Sequence, residues 1–175
     1  MTQTDGSRED DVQADEAAIG TLIGIALRPG RRAPMEAVDA VAIDAEAGPV
    51  GDHAGRHAKR LVTVLARADW EAALDALEPR PDLPWTTRRA NLLVDGLALP
   101  KVKGAVLRIG SVVLEVSGET VPCSRMDEAH PGLRKALAPD WRGGLICTVP
   151  TPGTVRLGDP VEILHMPTPK IRRLP

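Results

Sequence analysis

The sequence predicts a mainly β domain, a small barrel or sandwich with a few short helices. Three observations carry this. Apolar runs of roughly six to nine residues, rich in Val, Ile and Leu, recur along the chain at strand rather than helix length. Glycine and proline, 16 of each in 175 residues, fall at almost every junction between these runs, where tight turns need them. Strand and helix patterns do not alternate regularly, which argues against a doubly wound parallel sheet.

Taken in order, residues 1–18 (MTQTDGSREDDVQADEAA) are acidic and polar. They have no apolar face to bury, so a disordered tail is expected before an ordered domain over 19–166. GTLIGIAL (20–27) and AVDAVAID (37–44) read as strands joined by the turn-rich RPGRRAP, and LVTVLA (61–66) follows GPVGDHAGRHAK. ADWEAALDALE (68–78) sets Trp70, Ala73, Leu74 and Leu77 at helical spacing, with Asp69 as the expected N-cap and Pro79 and Pro81 as the stop. NLLVDGLAL (91–99), AVLRIG (105–110) and VVLEVSG (112–118) resume the strand pattern. SRMDEAHPGLRKAL (124–137) reads as two short helices parted by Pro131 and Gly132. GLICTVP (144–150) and PVEILHM (160–166) complete the set, and the proline-rich, basic 167–175 is expected to lie extended on the surface.

With no Phe, no Tyr and three Trp, the core has to be aliphatic. The same poverty removes the stacking platforms of single-strand nucleic-acid binders, and a formal charge of −2 offers no global attraction for polyanions. Neither a membrane partner nor a nucleic-acid partner is expected. The N-terminus lacks a basic and apolar leader pattern, no apolar run has the length of a membrane span, and two cysteines are too few for a disulfide framework. A reducing cytoplasm with both thiols free is the natural setting.

Three segments carry chemistry. In GETVPCSRMDEA, Cys123 follows a strand, and Ser124 with Asp127 forms an S-x-x-D capping pattern. Ser124 as N-cap would put Cys123 at the positive end of a helix, and Arg125 adds a cation; both favour thiolate over thiol. The alternative is an ordinary small buried hydrophobe, which is the reading adopted for Cys147 inside LICTV. In PWTTRRANLLVDG, strand alternation points Arg89 and Asn91 to one face and Arg88 to the other, offering a guanidinium fork and an amide to an oxyanion. A solvated strand edge guarded by charge reads equally well. In PVGDHAGRHAK, Asp52, His53, Arg56 and His57 surround two glycines. The glycines disfavour a helical zinc pair, leaving an anion-facing loop or a plain surface loop. Arg142 before Gly143 and Gly144 reads as a bulge or tight turn, and the Gly-Asp of VRLGDPVEIL as turn chemistry. No Ser-His-Asp order, P-loop or CxxC is present.

The order GPVGDHAGRHAKRLVTVL, TTRRANLLVDGLAL, LRIGSVVLEVSGETVPC, WRGGLICTV, VRLGDPVEIL resembles the MOSC family, domains related to the C-terminal part of molybdenum cofactor sulfurase, over about residues 20–165. The resemblance implies a β-barrel-like fold with short helices. It implies that Cys123 matches the family's functional cysteine, a molybdenum ligand in related reductases and a proposed persulfide carrier in the sulfurase context. It also implies that Arg89 and Asn91 match residues holding the anionic pterin cofactor, with help from Asp52, His53 and Arg56. The chain carries no pyridoxal-phosphate domain, so none of that cofactor is expected on it, and it lacks the extra β-domain of the larger reductases. Three functions therefore stand as expectations: reduction of N-hydroxylated compounds at a molybdenum-pterin cofactor with an external electron donor, persulfide delivery between sulfur donor and acceptor proteins, and a binding module for an oxyanion.

Overall fold

The computed structural model describes residues 17–53 and 61–168. The expectations for the two terminal tails, and for Arg56 and His57, fall mostly or wholly outside them. The described elements run, in chain order, β1 (Gly20–Leu27), β2 (Glu36–Ala37), β3 (Ala40–Asp44), β4 (Gly48–Pro49), β5 (Val62–Ala66), α1 (Arg67–Asp75), a 3-10 turn (Trp85–Arg88), β6 (Leu92–Asp95), β7 (Val106–Ile109), β8 (Val112–Glu119), α2 (Ser124–Ala129), α3 (Leu133–Leu137), a second 3-10 turn (Pro139–Trp141), β9 (Leu145–Thr151), β10 (Gly153–Arg156) and β11 (Pro160–His165). The mainly β class with a few short helices is what the sequence predicts.

An eight-stranded sheet in the order β11–β7–β8–β9–β5–β6–β1–β2 closes on itself through β11 and β1. Seven strands thus form a barrel, with β2 hanging from the far end of β1. Closure leaves those seven without an open edge. β10, β3 and β4 form a small side sheet. Along β7 and β8, buried residues alternate with more exposed ones, the signature of a strand with one face in the core. Leu22, Ile25, Val62, Val64, Leu92, Leu107, Ile109, Leu114, Leu145 and Cys147 fill the interior, an aliphatic packing that suits a chain without Phe or Tyr.

β5 is buried at all five positions because both faces are covered. Val62 and Val64 point into the barrel, while Leu65 packs outward with Leu93 of β6 under Trp70, Ala73 and Leu74 of α1 and Leu133 and Leu137 of α3. Burial of each such side chain contributes about 1.5–3 kcal/mol, so the helical layer is fastened to this flank of the barrel by packing rather than by helix propensity. Trp70 also donates its indole N–H to the Leu83 carbonyl at 3.3 Å.

The structure corrects several local expectations. β5 and β6 pair in parallel, so one β-α-β unit is present where the sequence suggested none. The 37–44 run is two strands in two sheets, split where Val38 N–H bonds back to the Ile25 carbonyl. Helix α1 starts straight out of β5 with Ala66 at its N-cap, and Asp69 is not a cap. The Asp69 carboxylate is used by Lys101 Nζ at 2.9 Å. Ser124 is the first residue of α2 and Cys123 its N-cap, with no side-chain cap bond. Asp127 turns instead to the next helix and accepts from the Arg134 backbone N–H at 3.1 Å. The break between α2 and α3 at Pro131–Gly132 is as the sequence reads. No helix of the described residues is long and apolar enough to cross a membrane.

Candidate functional site

Arg28, directly after β1, organises one wall of the site. Asp52 Oδ1 accepts from the Arg28 backbone N–H at 2.6 Å and from its Nε at 3.1 Å, and Oδ2 accepts from Nη2 at 2.9 Å. The Asp52 side chain is wholly buried, which makes this forked, charge-assisted pair far stronger than a surface ion pair. His53 N–H donates to the Arg28 carbonyl at 2.7 Å, so residues 52 and 53 run along Arg28 and hold it. The His53 side chain itself is exposed.

The same guanidinium donates through Nη2 to Asn91 Oδ1 at 3.3 Å. Asn91 is completely buried just before β6. Its Oδ1 also accepts from the Thr63 N–H at 3.2 Å and the Thr63 hydroxyl at 3.1 Å, and its Nδ2 donates to the Ala26 carbonyl at 3.2 Å. The side chain therefore braces β1, β5 and β6 where they meet. Asn91→Ala leaves the Thr63 amide and the Arg28 fork each short of a partner inside the protein; the expected cost is about 3 kcal/mol, read as a lowered urea midpoint at unchanged slope.

Arg89 ends the 3-10 turn in the left-handed conformation, φ 63° and ψ 30°. This sparsely populated state turns consecutive arginines apart. Arg88 goes inward, 5% exposed, and donates to the carbonyls of Gly143 at 2.9 Å and Thr120 at 2.8 Å. Arg89 goes outward, and its Nη1 donates to the Ala33 carbonyl at 2.7 Å. Its guanidinium lines a cavity of about 290 Å³ with Pro34, Met35, Thr86, Thr87 and, from α2, Arg125, Met126 and Ala129. Two arginines and two threonines thus border one space with no acidic residue among its described lining residues. Burial pushes the Arg89 pKa down from its ordinary value, the charges of Arg28 and Arg125 push it the same way, and Asp52 opposes them. Arg89 stays charged regardless. The direction reports burial first and neighbouring positive charge second.

Cys123 is exposed at the start of α2, with extended backbone at φ −106° and ψ 177°. Two residues on, Arg125 lines the arginine cavity; one residue back, Pro122 lines a groove of about 390 Å³ with Val121, Asp127, Arg134 and Lys135. Cys123 thus stands in the chain between the walls of two hollows. Helix α2 has six residues, too few for a large macrodipole, so Arg125 is the stronger local cation. Cys147 is the opposite case. It is fully buried in the barrel, and burial pushes its thiol up to about 12. Iodoacetamide at pH 8 is therefore expected to add one adduct to the folded protein, at Cys123, and a second only on unfolding, as read by intact mass.

A family model described as MOSC domain matches residues 51–162. The chain belongs to the MOSC domain family. Its fold is similar to solved structures of the YuaD protein from Bacillus subtilis (18% identity, 83% of this chain and 95% of that chain, TM-score 0.68). It is also similar to YiiM from Geobacillus stearothermophilus (16% identity, 83% and 75% covered, TM-score 0.66) and YiiM from Escherichia coli (20% identity, 85% and 71% covered, TM-score 0.63). At these identities the likeness establishes the fold. No curated protein matches the chain in sequence.

Within the MOSC barrel, the sites expected from sequence separate into two groups. Arg89 and Arg125 face a common cavity, and Cys123 stands beside it in sequence. Asn91 and Asp52 do not present themselves to a ligand as expected. Asn91 is buried, because β6 starts only at Leu92 and the left-handed turn at Arg89 breaks the alternation that would have aligned them. Asp52 is spent on Arg28. Both support the cationic wall from behind. Arg56 and His57 lie outside the described residues. Sequence reasoning passed over Arg28 as part of the RPGRRAP turn; the nearby run of Arg28, Arg31 and Arg32 was the only signal, and its buried acid partner 24 residues on was invisible locally. Among the described residues no group of three or more His, Cys, Asp or Glu could hold a metal ion.

The MOSC family is associated with the molybdenum cofactor. The donor chemistry here fits such a group: arginine and threonine side chains for an anionic tail, and an exposed thiol, a soft ligand suited to molybdenum.

Proposed function

We propose that this protein binds a molybdenum-pterin cofactor, with Arg89 and Arg125 holding its anionic tail and Cys123 supplying a thiolate to the metal. The observation that carries this reading is the pair Arg89 and Arg125 on the wall of one cavity, whose wall includes the helix that begins just after Cys123. Asp52 holds Arg28 in place, and Asn91 locks Arg28 to the barrel. The Thr86 and Thr87 hydroxyls offer neutral donors to the same anion. Arg125, being on α2, links anion binding to the segment that carries the sulfur. The cofactor, when bound, would supply two-electron reduction of an N-hydroxylated base: two electrons from an external protein donor and two protons from solvent convert N–OH to N–H and release water.

The exposure of Cys123 favours a second reading, a sulfur carrier. An exposed thiolate can take the outer sulfur of a donor persulfide, releasing the donor thiolate, and pass it to an acceptor. The two separate on one experiment. Protein purified from a host that makes the cofactor is analysed for molybdenum and, in parallel, by intact mass. Near-equimolar molybdenum supports the cofactor reading; metal-free protein with a 32-dalton sulfur adduct on Cys123, about the mass of one sulfur atom, supports the carrier and overturns the first.

A further inference from the structure

We infer that Arg88 is a positioning residue that ties the segment bearing Cys123 to the arginine cavity. This rests on the reading that Cys123 and Arg89 serve one site. The two arginines are adjacent in sequence, and the left-handed turn at Arg89 sends them to different tasks. The Arg88 guanidinium, buried, clamps two carbonyls that belong to neighbouring stretches of chain: Thr120, just past the end of β8, and Gly143, just before β9. Thr120 N–H in turn donates to the Gly144 carbonyl at 2.8 Å. Thr120 is three residues before Cys123. Any shift of Arg89 in response to an anion is therefore carried one residue along the backbone to Arg88, and from its rigid fork to the base of the cysteine segment.

Gly143 is built into this clamp. A Cβ there would stand 2.3 Å from the Thr120 oxygen and 3.0 Å from Arg88 Nη2. Nothing larger than hydrogen lets the carbonyl and the guanidinium meet at that point. The Gly-Gly pair that reads from sequence as a plain turn is thus the passage through which Arg88 reaches Thr120, at the base of the Cys123 segment. Lysine in place of Arg88 carries the charge, but its single ammonium has no planar fork to hold both carbonyls in fixed relation.

The test uses the full chain and inorganic phosphate as the probe. The rate of iodoacetamide addition at Cys123 is followed by intact mass with and without saturating phosphate, and phosphate binding is measured separately by calorimetry. In the wild type, phosphate seats against Arg89, the shift reaches the Cys123 segment through the Arg88 clamp, and alkylation slows by about fivefold. In Arg88→Lys, phosphate still binds but the rate ratio falls to near one. Gly143→Ala, whose Cβ presses on both the Thr120 carbonyl and the Arg88 guanidinium and leaves Arg89 and Arg125 unchanged, gives the same loss and serves if Arg88→Lys does not fold. A wild type that responds, with variants that bind phosphate and respond equally, overturns the positioning role alone. A wild type that binds phosphate without any change at Cys123 overturns the shared site and the positioning role together.

Discussion

Cys123→Ala is expected to strip the protein of molybdenum while leaving its fold and stability nearly unchanged. The side chain is exposed and makes no cap bond, so its removal opens no cavity in the core. Its loss removes the exposed thiol, since the other cysteine, Cys147, is buried in the barrel. Loss of a hydrogen-bonding support behind a metal ligand already costs about 10–100-fold in affinity, and loss of the ligand itself costs at least that much. The contrast with Cys147 sharpens the prediction. Cys147→Ala removes a wholly buried side chain from the barrel and is expected to lower stability by about 1–2 kcal/mol while leaving molybdenum content untouched. Elemental analysis of the two variants beside the wild type checks both halves.

Arg89→Ala is expected to weaken binding of the anionic cofactor, or of phosphate as its stand-in, by at least about tenfold. Charge-assisted bonds of a guanidinium to an anion are worth roughly 1.5–3 kcal/mol each, and 1.4 kcal/mol is a factor of ten. The loss is expected to be partial, because Arg125 and the two threonine hydroxyls remain on the cavity wall. Arg89→Lys recovers part of the affinity through charge, not through the fork. Because, among the described residues, Arg89 donates through its side chain to the Ala33 carbonyl alone, stability should change much less than in Asn91→Ala. Isothermal calorimetry with phosphate, together with urea titration, separates the two effects; a full stability loss with intact affinity would place Arg89 among the structural residues instead.

Most of the barrel strands were legible because their information is local. GTLIGIAL is a strand wherever it goes, and β1 occupies the expected residues. The short β4 and β10 were missed because two to four residues carry too little pattern, and only pairing with β3 makes them strands. The β5–β6 pairing was missed for a different reason. LVTVLA shows no alternation, and its burial on both faces depends on helices that arrive later in the chain.

The candidate site was legible in parts. An exposed Cys123 opening a short helix could be read from side-chain chemistry. The partners could not. Arg28 and Asp52 are 24 residues apart, and Arg88 and Gly143 are 55 apart; neither pair leaves a mark in its own neighbourhood. The alignment of Arg89 with Asn91 failed on one backbone angle, the positive φ at Arg89, which no residue preference for arginine predicts. Asn91 was singled out for its amide; the structure gives that amide to the barrel.

Sulfur ligation of the metal is the step on which the account turns. X-ray absorption at the molybdenum edge, on wild type and Cys123→Ser loaded with the same cofactor, counts the sulfur neighbours of the metal directly. The account predicts one sulfur fewer and one light oxygen or nitrogen ligand more in the serine variant; an identical sulfur shell in both proteins would contradict it.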